Sequence, residues 1–181
     1  GADGSRTAPP RAKRGCEMFH PESSCKGREK RSFKQQSRAQ RESRPGRGLM
    51  NIIKQSVRFN ASPDSLFDAY LDSRKHSAIV GSKVSISKVV GGRFTAFNGM
   101  LSGKNLLIVP KKLVMQSWRS RTWKTTDPDS ILILMFSKAG RGARVDLVHV
   151  NVPKHDLQGV TRGWRRYYWK PWLEYLKRSR R

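Results

Sequence analysis

The chain has 181 residues, a formal net charge of +25, 36% apolar residues and two cysteines, Cys16 and Cys25. That length suits one ordinary domain, no apolar run approaches the ~20 residues of a membrane span, and the charge points to polyanions as partners: nucleic acid, an anionic membrane or an acidic protein face. Both cysteines lie in the first 49 residues, with His20 loosely spaced between them, so neither a disulfide framework nor a metal centre is expected, and a reducing, cytoplasmic setting fits.

Residues 1–49 hold 13 Lys/Arg against 5 Asp/Glu, and residues 50–181 hold 25 against 8, so both parts are basic. The first part is rich in Gly, Ser, Arg, Lys, Gln and Pro and shows no hydrophobic period, the composition of a disordered basic tail or a non-native extension. It lacks the apolar core of a secretory signal, and Glu17, Glu22, Glu29 and Glu42 speak against an organelle transit peptide. Met50 heads the patterned domain, 50–181, and is a plausible biological start.

Ile52–Phe59 alternates, with Ile53, Val57 and Phe59 on one side, and predicts the first strand. Ser62-Pro63-Asp64 opens a helix: the serine caps it, the proline suits its first position, and the aspartate meets the positive end of its dipole. Leu66, Phe67, Tyr70 and Leu71 form its apolar face, and Asp72-Ser73 starts a second short helix ended by Gly81. Strands are then predicted at Lys83–Val90, Arg93–Phe97, Met100–Val109, Leu113–Thr122, Ile131–Phe136 and Ala143–Val150. Gly91-Gly92, Asn98-Gly99, Pro110-Lys111, Asp127-Pro128-Asp129 and Gly140-Arg141-Gly142 separate them as turns, Asn98-Gly99 being a type I′ hairpin signal. Gly103 is expected to mark a bulge. No crossover segment separates these strands, so they pair as an antiparallel meander.

The last element, Gly159 to Leu176, sets Val160, Trp164, Tyr167, Tyr168, Trp172, Tyr175 and Leu176 at steps of three and four, one wide aromatic side of a helix. Pro171 inside it removes a backbone hydrogen bond at ~3 kcal/mol and predicts a kink near Tyr167. Such a face needs a concave partner, so the expected fold is α+β: a curved antiparallel sheet wrapped around the C-terminal helix, with two short helices after the first strand. Function is expected between sheet and helix.

Five tryptophans serve one domain: Trp118, Trp123, Trp164, Trp169 and Trp172. They predict either a filled core or an aromatic-lined pocket for an apolar ligand. The cavity candidates are Phe97, Trp118, Met135, His149, Trp164, Tyr168 and Trp172. His76, His149 and His155 are the titratable candidates for acid–base work, yet no nucleophile, carboxylate pair, metal-ligand cluster or phosphate loop accompanies them. No catalytic residue, metal or cofactor is assigned. Arg119, Arg121, Arg162, Arg165 and Arg166 are candidates for a basic surface that meets an acidic partner.

Two blocks carry a family resemblance. Gly91 to Trp123, GGRFTAFNGMLSGKNLLIVPKKLVMQSWRSRTW, and Gly163 to Leu176, GWRRYYWKPWLEYL, resemble the C-terminal domain of the activators of heat-shock protein 90 ATPase. The shared features are a Gly-Gly-x-Phe strand opening, a Gly-spaced hairpin, an apolar-Gln-x-Trp-Arg strand and a Gly-Trp-x-x-Tyr-aromatic helix, in that order. The resemblance implies the helix-grip fold of the START-like, or SRPBCC, superfamily. It also implies a stress-response, co-chaperone-type binding module with heat-shock protein 90 as partner. The superfamily also contains carriers of lipids and other apolar small molecules, and cyclase-type enzymes. A cyclase or hydrolase using the same cavity, with an inward-facing polar pair such as His149 and Tyr168 within hydrogen-bonding distance, is therefore the alternative, and a basic nucleic-acid binder is third. Residues 1–49 are too short and too polar to be the separate N-terminal domain of the eukaryotic activators, so the chain looks like the stand-alone C-terminal type.

Overall fold

The computed structural model describes residues 51–179. The expectations for residues 1–49, including Cys16, His20 and Cys25, lie outside the described residues. The chain runs β1 (Ile52–Phe59), α1 (Pro63–Leu71), α2 (Ser73–Val80), β2 (Ser85–Ile86), β3 (Arg93–Ala96), β4 (Leu101–Val109), β5 (Leu113–Ser120), β6 (Ser130–Ala139) and β7 (Gly142–Val150). A 3₁₀ turn at Lys154–Asp156 leads into α3 (Leu157–Gly163), a π-helical segment (Trp164–Trp169) and α4 (Lys170–Arg178). The strands form one antiparallel sheet in the order β1-β7-β6-β5-β4-β3-β2. This is the expected α+β helix-grip arrangement.

Local chemistry sets the helices. Ser62 caps α1 through its hydroxyl, which accepts from the Ser65 amide, and Pro63 follows it. Asp72 caps α2, its carboxylate accepting from the Arg74 and Lys75 amides, which holds its pKa below the usual value. Gly81 closes α2 at φ +66°, a conformation that disfavours a Cβ.

The predicted strand Lys83–Val90 shrinks to two paired residues, and side chains explain why. The Ser77 and Ser73 hydroxyls of α2 accept from the Val84 and Ile86 amides, while the Asn105 amide donates to the Ser87 and Val89 carbonyls. The backbone after Ile86 is thereby drawn into a turn. Asn98 (φ +55°) and Gly99 (φ +82°) have the two positive φ values of a type I′ turn, closed by the Met100 amide on the Phe97 carbonyl. Phe97 also has positive φ, so the loop is longer than the two-residue form.

Gly103 is no bulge. It pairs in register with Phe94 and Trp118, and a Cβ there would collide with the Ser117 carbonyl and the Phe94 ring. The register shift lies between Asn105 and Leu107.

One face of the sheet is covered by the helices. Its middle row runs Asn105, Gln116, Leu132, His149 and Ile53 across five strands. Three of these are polar and all five are buried, so the row needs internal hydrogen-bond partners. The Tyr70 hydroxyl of α1 donates to Gln116 at 2.7 Å, and Gln116 donates to Asn105 at 2.7 Å. With the Asn105 bonds to the Ser87 and Val89 carbonyls, this chain ties α1, β5, β4 and the turn after β2 together.

The C-terminal helix departs from the sequence expectation at two residues, Tyr167 and Trp169. A continuous α-helix buries Tyr167 and exposes Trp169, whereas Tyr167 is 48% exposed and Trp169 only 4%. The π-helical segment is the cause: the Lys170 amide bonds the Arg165 carbonyl, five residues back. Residues five apart then stand one above the other, which turns Trp169 onto the Trp164 face, their rings stacked at 5.5 Å. Pro171 follows directly in a helix that is continuous through Trp169 and Lys170, so its missing N–H leaves one carbonyl of the preceding turn without that donor. The segment, at the predicted kink, absorbs the proline through a wider turn.

Candidate functional site

A half-open cleft of about 440 Å³ lies between the start of the C-terminal helix and the β3–β4–β5 end of the sheet. Trp118 of β5 and Trp164 form its inner wall, Val160 and Leu101 add apolar surface, and Phe97, Tyr167 and Tyr168 stand along the rest. Phe97 meets Tyr167 at 6.0 Å and Tyr168 at 5.5 Å, both edge to face. Gly159 and Gly163, four apart and so on one side of α3, also line the cleft, and their missing side chains leave it open. At Gly163 a Cβ would meet only the Tyr167 ring at 3.8 Å.

The polar groups of the cleft are few. Asp156 accepts from the Trp123 indole at 2.8 Å, and Ser120 shares a 2.8 Å hydrogen bond with Thr122. Burial raises the Tyr168 pKa, so its hydroxyl stays neutral. An apolar wall with a few polar groups suits an apolar, ring-bearing small molecule.

His149 lies behind this wall, fully buried, with the Trp118 ring at 4.9 Å and the Trp164 ring at 5.9 Å. The Trp164 indole N–H can only donate, and it points to His149 Nδ1 at 3.1 Å. Nδ1 is therefore the unprotonated acceptor, and Nε2–H donates to the Ser130 hydroxyl at 2.8 Å, which donates to the Trp118 carbonyl at 2.8 Å. Burial lowers the His149 pKa to about 3. Both ring nitrogens are occupied, so His149 positions Trp164 and Trp118 rather than facing a ligand. His149 and Tyr168, an example of the polar pair that the enzyme alternative needs, are not hydrogen-bonded to each other.

His76 is likewise buried, its Nδ1 on the Tyr70 carbonyl at 2.8 Å, its Nε2 without a partner among the described residues, and burial lowers its pKa to about 4. His155 lies 3.7 Å from Asp127 near the surface. Among the described residues no group of three or more His, Cys, Asp or Glu is placed to hold a metal ion.

Of the seven cavity candidates, the structure brings Phe97, Trp118, Trp164 and Tyr168 together at the cleft. Met135 is misplaced: strand alternation puts it on the opposite face of β6 from Leu134 and Phe136, which are buried beneath the helices. Trp172 is buried further along the core against Phe59 at 5.2 Å, its indole N–H without a partner among the described residues. Sequence reasoning missed Ser120, Asp156, Gly159 and Gly163. The glycine pair at i and i+4 on an otherwise bulky face was the available signal.

The basic candidates also separate. Arg119 is not a free surface cation: it pairs with Asp129 at 2.9 Å and donates to the Asp127 and Lys124 carbonyls, locking the β5–β6 loop. Arg166 lies over the Tyr167 ring at 5.4 Å. Arg121, Arg162 and Arg165 are exposed.

A sequence model of the family described as "Activator of Hsp90 ATPase homolog 1-like protein" matches residues 60–175. The chain belongs to this family. It is similar to the activator of 90 kDa heat shock protein ATPase homolog of Dictyostelium discoideum, 25% identical over 115 residues, 63% of this chain and 30% of the relative. It is also similar to homolog 1 of Homo sapiens, 23% identical over 112 residues, 62% of this chain and 33% of the relative. This member of the Hsp90-activator-like family thus spans about a third of the length of these relatives. The crystal structure of an HSP90 activator from Plasmodium falciparum superposes with a TM-score of 0.59 at 24% identity, covering 65% of this chain and 89% of that one. No helix among the described residues is long and apolar enough to cross a membrane.

Proposed function

We propose that this chain is a cytoplasmic binding module of the co-chaperone type whose partner is Hsp90. The family match carries the reading: residues 60–175 take in nearly all of the described fold, so the module itself, rather than a fragment of its sheet, is what the activators share. Stimulation of the chaperone's ATP turnover is a separate property, because the curated relatives are about three times as long as the matched region. The test is isothermal titration of the full chain into purified Hsp90, with ATP turnover followed in parallel. Saturable binding supports the reading whether or not turnover rises. No heat and no co-migration on size exclusion at high micromolar concentrations would sink it.

The cleft supports a second reading, an apolar small molecule or lipid held between Trp118 and Trp164. Two tryptophans in the wall make intrinsic fluorescence the direct probe. Titration with a panel of fatty acids, sterols and flavonoids is expected to give saturable quenching or a blue shift, abolished by Gly163→Leu, which puts a side chain in the cleft. An unchanged spectrum across the panel counts against it.

A further inference from the structure

Among the described residues β1 is an edge strand, paired with β7 on one side and with no strand on the other. Along that open side runs a groove of about 540 Å³ between β1 and the C-terminal helix. Four consecutive residues, Lys54, Gln55, Ser56 and Val57, line it. Successive side chains of a strand point to opposite faces, so a groove touching all four runs along the strand's edge, where unpaired backbone N–H and C=O groups point.

The opposite bank is helical: Arg165, Lys170, Glu174 and Lys177 along the rim, Trp169 and Leu173 below. The floor is held in place, since Gln55 accepts from the Trp169 indole at 2.5 Å and donates to the Thr161 carbonyl at 2.9 Å. Four cations face one carboxylate, and that carboxylate, Glu174, is held by Lys177 at 3.0 Å. Lys54, Arg165 and Lys170 are exposed; none forms a salt bridge among the described residues, Lys170 acting on Glu174 only through its field.

We propose that this groove is a docking site for an extended acidic segment of another protein, added as a strand to the open edge of β1. An open edge supplies main-chain hydrogen bonds, and alternate side chains of the incoming strand face two ways. Alternate residues of the incoming strand face the helix, where Val57 and Leu173 meet apolar side chains and Arg165 and Lys170 stand at the rim for acidic ones, and the intervening Asp or Glu residues meet Lys54 on the other face. Charge selects the occupant: residues 1–49 of this chain, with 13 basic and 5 acidic residues, are repelled by the same rim, as is a second copy. The groove is a different surface from the aromatic cleft, and its occupancy is independent of both readings above.

The test uses the full chain and a fluorescein-labelled Glu-Val-Glu-Val-Glu-Val-Glu peptide, followed by fluorescence anisotropy and by hydrogen exchange. Saturable binding is expected, weakened at least tenfold in Lys54→Glu/Lys170→Glu, two exposed positions where charge reversal leaves the core alone. Peptide is expected to slow amide exchange in β1, and the peptide N-methylated at alternate residues is expected to bind at least tenfold more weakly. Equal binding of the N-methylated peptide, unchanged affinity in the double variant, or unchanged exchange in β1 would each overturn the proposal. So would tighter binding of a short single-stranded DNA or of anionic vesicles that the same double variant abolishes, since the groove would then be a polyanion surface without strand recognition.

Discussion

Gln116 shows what a single buried polar side chain does here. It is fully buried in β5, accepts from Tyr70 and donates to Asn105, so its removal strands a hydroxyl and an amide oxygen in the core. Gln116→Leu keeps the volume roughly but is expected to destabilise the fold by ~1–3 kcal/mol for each stranded group. Urea denaturation reads this directly, and a loss below ~0.5 kcal/mol would mean the chain of hydrogen bonds contributes little. At Gly163 the opposite sign is expected. Its φ of −56° is helical and nothing crowds a Cβ, so Gly163→Ala stabilises by up to ~1 kcal/mol through helix propensity. A fall in melting temperature for this variant would place a tighter constraint on the helix there.

Among the elements, the π-helical segment decides the C-terminal helix. It rotates Trp169 inward, where it meets Phe59 at 6.3 Å and bonds Gln55, and it leaves Tyr167 at the mouth of the cleft. Trp169→Ala is expected to cost ~3–5 kcal/mol, as for a buried tryptophan, whereas Tyr167→Ala costs under ~1 kcal/mol. A continuous α-helix predicts the reverse order, so paired denaturation curves separate the two. The β3–β4–β5 end depends on Gly103 in a different way. A methyl group there runs into the Ser117 backbone, so Gly103→Ala is expected to pry β4 from β5 and to destabilise by ~1–3 kcal/mol, with Trp118 emission shifting to the red as its wall opens.

For the whole molecule, two buried neutral histidines set the acid limit. His149 and His76 have folded pKa values of about 3 and about 4, against an ordinary value of 6.5, because burial penalises the charged ring. Above pH 6.5 both are neutral in either state and their titration adds no pH dependence. Below it the unfolded chain binds protons that the folded chain refuses, so stability falls with pH, by about 1.4 kcal/mol per unit for each histidine once the unfolded form is protonated. The fall runs from pH 6.5 down to about 4 for His76 and about 3 for His149. Melting curves between pH 7 and pH 4 are expected to show it, and replacing His76 by Phe removes part of the slope. A flat profile over that range would mean that neither ring is held neutral.

The sequence by itself determined the order of elements, the caps at Ser62 and Asp72, the antiparallel meander and the aromatic character of the last helix. Each of these rests on near neighbours: a hydroxyl three residues from an amide, a period of two or of 3.6, a turn dipeptide. It also placed Phe97, Trp118, Trp164 and Tyr168 among the cleft candidates, because large aromatics on inward faces have little else to do. Tertiary structure decided the rest. The two-residue length of β2 came from side chains of α2 and β4 capturing its backbone, which no local period records. Met135 and Leu134 are equally apolar in a strand whose sequence is almost continuously apolar, so only sheet pairing tells which one turns toward the helix. The exchange of Tyr167 for Trp169 needed one wider helical turn beside a proline, and the hydrogen-bonded seat of His149 needed Ser130 and Trp164, 19 and 15 residues away in the chain. The grooves beside the helix belong to this second class, because each is made of a strand and a helix that meet only when the sheet closes over them.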